Sequence, residues 1–262
     1  MFAQQAIRVD DVAAELRAAQ EAVGSGVDVG DFVRTSLNMF RGVVADNRVT
    51  AFDLAESPRA LKDMLGVERF SARFELPVSG DALYLTRTHP LVESLAAYVM
   101  NTALDTVDVD GDVPRPRRSG VIRTSAVQRR TTLLLVRLRY HLITRVGDKE
   151  RQLLAEDSVT LAFESAPESA VWLDPDAAEA LLKARPEDNV HPDQAADYIQ
   201  RVVDSFDHLA PTLNEIARRR GDDLLQAHTR VREAAHRRGE QRAQHRVEAQ
   251  LPPDVLGIYV YL

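Results

Sequence analysis

The sequence predicts an α+β fold: an antiparallel sheet covered by helices, with a long charged helical arm near the C-terminus. Three observations predict it. Residues 131–146, TTLLLVRLRYHLITRV, are rich in β-branched and aromatic side chains, and Gly147-Asp148 offers a turn into a second strand-like stretch, 151–164. Residues 9–23 and 90–104 carry apolar side chains at helical spacing. From about Pro192 to Arg246 a helical pattern runs on, losing its apolar stripe past Ala235.

The elements follow in order. Val9, Val12, Ala13, Leu16, Ala19 and Val23 mark a first helix, stopped by Gly24-Ser25-Gly26. Asp28 caps a second, through about Met39, with Phe32, Val33, Leu37 and Phe40 on one side. A short strand or hairpin is expected at 49–54. Ser57-Pro58 opens a short helix with Pro in its first turn. Alternation of Phe70, Ala72, Phe74 and Leu76 against polar neighbours predicts a strand at 70–76, and Leu83–Leu85 a shorter one. Thr88 or His89 caps the helix from Pro90 to Leu104, and Asp105–Ser119 reads as an exposed loop. Further strands are expected at 121–126, 131–146, 151–164, 171–173 and 255–261. Asp174-Pro175 opens another helix, and Pro211 and Gly221 are candidate breaks in the stretch from 192 to 246. The expected organisation is a helical part at 1–66, the sheet with its 90–104 helix at 67–191, and the arm with a returning terminal strand at 192–262. In IYVYL, Ile258, Val260 and Leu262 alternate with Tyr259 and Tyr261, so both faces of that strand need cover.

Composition narrows the function. Hydrophobic residues make up 45% and charged residues 28%, which excludes a mainly disordered chain. No run of 18 apolar residues exists, so no membrane span is expected, and without a signal-like N-terminus the cytoplasm is the expected compartment. With no cysteine there is no disulfide, thiolate metal site or cysteine nucleophile. The phosphate-cradling GxxxxGK[ST], the GxSxG elbow and the HExxH zinc motif are all missing. His228 and His236 lie more than a turn apart, and the Asp105–Asp112 loop lacks the Gly and Glu of a calcium loop. No catalytic residue, metal ligand or cofactor site is therefore expected.

Charge gives the one positive signal. The net charge is −7, yet residues 115–149 hold ten basic residues and one acid, a local +9 that leaves −16 on the remainder. Arg137 and Arg139 alternate along one face of the long strand, and Arg123, Arg129 and Arg130 precede it. Guanidinium forks suit phosphate, so these five are the candidate nucleic-acid contacts. The competing reading pairs them with carboxylates of the chain itself. The helix from Thr212 to Arg246 adds nine Arg against five acids, facing several directions.

Four stretches together carry a resemblance: YLTRTHPLVESLAAYVM (84–100), RRSGVIRTSAVQRRTTLLLVRLRYHL (117–142), LLAEDSVTLAF (153–163) and LPPDVLGIYVYL (251–262). Their order resembles the region after the motor lobes of bacterial Swi/Snf-type (superfamily 2) helicases, including helicase-related proteins of DISARM-like anti-phage systems. More distantly it is similar to the C-terminal part of the RNA-polymerase-recycling ATPase of that superfamily. The resemblance implies an accessory, non-catalytic domain docking on helicase motor lobes in cis or trans, with duplex DNA contact and RNA polymerase as further partners. The Walker A, DEAH-type and arginine-finger motifs of the motor itself are missing, so the chain looks like the tail of such a helicase, encoded separately or starting at an internal Met. A stand-alone interaction module for RNA polymerase or a defence complex is the alternative.

Overall fold

A computed structural model describes residues 26–47, 49–77, 80–105, 115–235 and 244–262. The expected first helix at 9–23, most of the acidic loop and the outer part of the arm lie outside the described residues. The chain divides into two compact units, 1–117 and 118–262.

The first unit holds helix α1 (Gly26–Met39), strands β1 (Val43–Ala45) and β2 (Thr50–Asp53), helix α2 (Arg59–Leu65), strands β3 (Arg69–Arg73) and β4 (Leu83–Tyr84), and helix α3 (Pro90–Leu104). The strands form one sheet in the order β1-β2-β3-β4. Helix α3 starts where the sequence puts it: His89 is its N-cap, its Nδ1 accepting from the Leu91 amide at 3.2 Å, with Pro90 in the first turn. Leu91, Leu95 and Tyr98 then fall on one side of the helix and are buried, Tyr98 meeting Phe40 edge-on with centroids 5.0 Å apart. Val33, Leu37, Phe52, Leu54 and Leu61 complete that core. Pro58 stands one position earlier than expected, as the N-cap of α2 and without a side-chain cap bond.

The second unit contains β5 (Ser119–Ile122), β6 (Thr131–Val146), β7 (Lys149–Glu164), β8 (Val171–Trp172), helices α4 (Pro175–Leu181), α5 (Pro192–Asp204) and α6 (Ala210–Ala235), and strands β9 (Gln244–Ala249) and β10 (Asp254–Tyr261). Its sheet runs β5-β10-β6-β7-β8, with β9 also on β6. The long strands β6 and β7 pair along their whole sixteen residues, from Thr131↔Glu164 to Val146↔Lys149, around a two-residue turn. Gly147 there has φ +58°, the left-handed conformation that primed hairpin turns need. The opposite edge of β6 is shared end to end: β10 takes 131–137 and β9 takes 140–145.

Alternation decides which helix covers which face. Leu134, Val136, Leu138 and Tyr140 point to α5 and α6, into a core with Val202, Leu209, Leu213 and Ala217. The Tyr140 hydroxyl donates to the Ala217 carbonyl at 3.2 Å. Burial, reinforced by Asp157, pushes that phenol up to about 12. Leu133, Tyr261 and Ala162 point the other way, under Ala178 and Leu181 of α4. Asp174 caps α4 as expected, accepting from the Ala177 amide at 2.8 Å. The terminal strand is thus covered on both sides by the chain's own helices, with Ile258 and Val260 in one core and Tyr259 and Tyr261 in the other.

The α+β class holds, with three corrections to the detail. The strand at 69–73 belongs to the first unit's sheet and not to the sheet of the long hairpin. Both sheets are mixed, because β3 pairs β4 in parallel and β10 pairs β5 in parallel. The stretch from 192 to 246 is not one broken helix. It breaks at Ser205–Leu209, while Pro211 sits in the first turn of α6 and Gly221 lies inside it without interrupting it. A Cβ at Gly221 would stand 3.2 Å from the Tyr140 ring, so glycine there lets the helix lie close on the sheet. Residues 244–246, where the helical stretch was expected to end, belong instead to strand β9, in which His245, Val247 and Ala249 alternate with Arg246 and Glu248. Among the described residues no helix is long and apolar enough to cross a membrane.

Candidate interaction face

The odd-numbered positions of β6 beyond α4 form a sheet face of their own. Arg137 and Arg139, two residues apart, both reach one carboxylate at the start of β10. Asp254 Oδ2 accepts from Arg137 Nη2 at 2.9 Å and Nε at 3.1 Å, and lies 2.9 Å from Arg139 Nη2. Each of the three side chains is about one-third exposed. This clamp follows from register: Asp254 stands directly across from Arg137, so it also reaches the next residue on that face.

The same register sets the rest of the face. Arg139 lies opposite Glu156, His141 between Leu154 and Glu248, Ile143 between Gln152 and Arg246, and Arg145 between Glu150 and Gln244. Gln152 Nε2 is 2.6 Å from His141 Nδ1, and Arg246 Nε lies 3.4 Å from Glu248. Four arginines (137, 139, 145, 246) therefore share the face with four carboxylates (150, 156, 248, 254), and its charge cancels. The three basic residues that the segment contributes to this face, Arg137, Arg139 and Arg145, are thus balanced by carboxylates from the strands beside them.

The other three candidate arginines stand elsewhere. Arg123 follows β5, separated from β6 by β10; its side chain is exposed, and its carbonyl accepts from the Glu187 amide at 2.9 Å. Arg129 is exposed just before β6. Arg130 is half-buried and lines a cavity of about 240 Å³ with Arg201, Glu168, Tyr198 and Ser205. Ser205 donates to Glu168 at 2.5 Å, which holds that carboxyl below the usual range. The five arginines do not form one stripe.

Beyond the face lies an edge. From Lys149 to Ser158, β7 is exposed on both sides apart from the half-buried Ala155, and Leu153 and Leu154 are 63% and 58% exposed. Among the described residues only Phe163 and Glu164 of β7 pair with β8, so the strand's outer edge from 149 to 160 has no strand beside it. Sequence reading had no means to place Asp254 or the acids of β7 against the arginines, since their contacts cross more than a hundred residues or depend on hairpin register. No group of three or more His, Asp or Glu side chains among the described residues is placed to hold a metal ion.

An α+β module built on one long hairpin, with a charge-neutral face and an open edge, is the class that fold and site define. The chain belongs to the family described as Domain of unknown function (DUF8741), which matches residues 113–262 and so spans the whole second unit. Comparison with curated proteins finds no match.

Proposed function

We propose that the chain is a non-catalytic docking module acting in the cytoplasm, the accessory part that follows the motor lobes of a Swi/Snf-like translocase, and that it engages other proteins rather than tracking a nucleic-acid backbone. One observation carries this reading. Arg137 and Arg139, the best-placed phosphate contacts in the sequence, are held by Asp254 on a face whose charges cancel. Sequence-independent binding of nucleic acid needs uncompensated positive charge along a track. Protein interfaces instead favour balanced polar surfaces around exposed apolar side chains, such as Leu153 and Leu154 here. The motor lobes are the partner that the sequence resemblance favours, with RNA polymerase or an anti-phage complex as alternatives.

The test is co-expression of the full chain with the motor portion of a Swi/Snf-type helicase from the same genome. A stable complex is expected, unchanged when Arg137 and Arg139 are both replaced by Ala, while the melting temperature of the double variant falls. Steeply salt-dependent DNA binding that the same double variant loses at unchanged melting temperature would overturn the reading. So would DNA-stimulated ATP hydrolysis retained through purification of the chain alone.

A further inference from the structure

The open edge of β7 is complementary to itself. In antiparallel pairing, alternate residues aim their backbone N–H and C=O groups to opposite sides of the strand. The Ala162 carbonyl accepts from the Leu173 amide at 2.9 Å, on the side away from β6, whereas the Ser165 amide donates back to the Arg130 carbonyl, toward β6. The register with β6 is continuous over the whole strand, so the even-numbered residues 150, 152, 154, 156, 158 and 160 turn their backbone groups outward, where among the described residues no strand meets them; the Ser158 amide alone is engaged locally, donating to Asp157 Oδ1 at 2.9 Å. No proline or bulge interrupts them, although these are devices that commonly blunt an exposed edge.

We propose that a second copy of this chain adds to that edge, β7 against β7 in antiparallel register, with the two-fold axis at Leu154. This register makes Leu154 meet its own copy as a hydrogen-bonded pair, followed outward by Gln152 with Glu156 and Glu150 with Ser158. The intervening pairs set Leu153 against Ala155, Arg151 against Asp157 and Lys149 against Val159. Both exposed leucines are thereby covered, and the two symmetry-related Arg151–Asp157 pairs are oppositely charged. Asp157 already stands 3.6 Å from Arg220 within the chain, both groups half exposed, and a carboxylate can take two guanidinium groups. The neighbouring registers that keep even residues paired are worse. Shifting one way sets Glu150 against Glu156 twice, which cancels the gain from its two Lys149–Asp157 pairs, and leaves Arg151 opposite Ala155. Shifting the other way sets Asp157 and Glu156 against the two leucines and leaves Arg151 opposite Val159. Like charges directly opposed across strands are unfavourable, so the pattern selects one alignment.

This inference extends the protein-docking reading but rests on the edge, not on the Asp254 clamp, so each can fail alone. The experiment is sedimentation velocity on the full chain over a hundredfold range of concentration, with paired charge variants. A dimer is expected for the wild type. Arg151→Asp and Asp157→Arg should each weaken dimerisation at least tenfold, and the combined swap should restore it. As a second readout, the chain has no native cysteine, so Leu154→Cys places one thiol per copy at the axis. A short bismaleimide should then link two copies. In Arg151→Cys the thiols would be six residues apart along the pair, about 20 Å, and should not be linked. A monomer at every concentration, a charge swap without rescue, or equal crosslinking at both positions would overturn the proposal. A monomer that still binds motor lobes would leave the docking reading standing without it.

Discussion

Replacing Asp254 by Ala tests the assignment of the candidate arginines most directly. The carboxylate accepts hydrogen bonds from Arg137 and pairs with the charge of Arg139, its Oδ2 lying 2.9 Å from the Nη2 of each, and all three groups are about one-third exposed. Fully exposed ion pairs contribute roughly 0.2–1 kcal/mol and hydrogen bonds to charged groups roughly 1.5–3 kcal/mol. Groups at this depth lie between, so about 1 kcal/mol per arginine is reasonable, and removing Asp254 should cost about 2 kcal/mol. The loss also leaves two like charges adjacent on one strand face, which adds to the cost at low salt and is screened at high salt. Either arginine alone should cost less, because Asp254 keeps the other. Asp254→Asn, which retains an acceptor, should fall between. Urea unfolding gives the free energy, provided the slope is unchanged, and a loss of about 2 kcal/mol corresponds to roughly 4–8 °C in melting temperature for a unit of this size. An Asp254→Ala variant within about 0.3 kcal/mol of wild type at low salt would refute the clamp and return both arginines to the pool of free phosphate contacts.

Two further outcomes follow from α6 on the sheet. Gly221→Val should destabilise by about 2 kcal/mol, since even a Cβ there stands 3.2 Å and 3.4 Å from Tyr140 ring atoms and 3.5 Å from Val247, and added branches must displace both. Gly221→Ala should cost much less, its tight contact being offset by about 1 kcal/mol of helix propensity, and equal losses for the two would show that the close approach is unimportant. Tyr140→Phe should cost about 1 kcal/mol at pH 8, from the lost bond to the Ala217 carbonyl. Tyr140 is protonated more tightly when folded, at about 12 against an ordinary value of 10.0. Its contribution is therefore complete below pH 10 and lost as pH rises toward 12, so the Phe variant should lose less stability than wild type across that window, measured by denaturant titration. Parallel pH dependence of the two proteins would refute the role given to the buried phenol.

Much of the fold was legible because its signals are local. Pro90 with His89 before it, and Pro175 with Asp174, fixed two helix starts to the residue. The Gly147-Asp148 turn between two strand-like runs gave the hairpin, but not its register, because the return strand was expected from 151 and begins at Lys149. What stayed hidden is non-local or ambiguous in period. The strand at 69–73 looks like any half-buried strand, and nothing near it says that it pairs with β2 and β4 rather than with the long hairpin. Strand β9 follows a charged helical run and carries His245, Arg246 and Glu248, so its alternation was submerged in a pattern that also fits the end of a helix. Gly221 reads as a helix breaker until the Tyr140 ring beneath it is known.

The arginines show how far charge in a sequence is from charge on a surface. A count over residues 115–149 adds basic residues that lie on different elements and, within β6, omits the partners across it. Pairing at period two brings every second residue of β6 against every second residue of β7, and those residues of β7 include Glu150 and Glu156. On the other edge, β9 brings Glu248 and Arg246 together, and β10 enters the sheet at Asp254. A slip of one residue in the hairpin would turn Glu150 and Glu156 to the α6 side and, in one direction, leave Arg137, Arg139 and Arg145 opposite Asp157, Ala155 and Lys149. Neutrality of the face is thus a property of the two-residue turn as much as of composition. That ties the fold to the function proposed: the turn that fixes the register also removes the free positive track, and leaves along β7 an edge whose own residues are spaced to meet a partner strand.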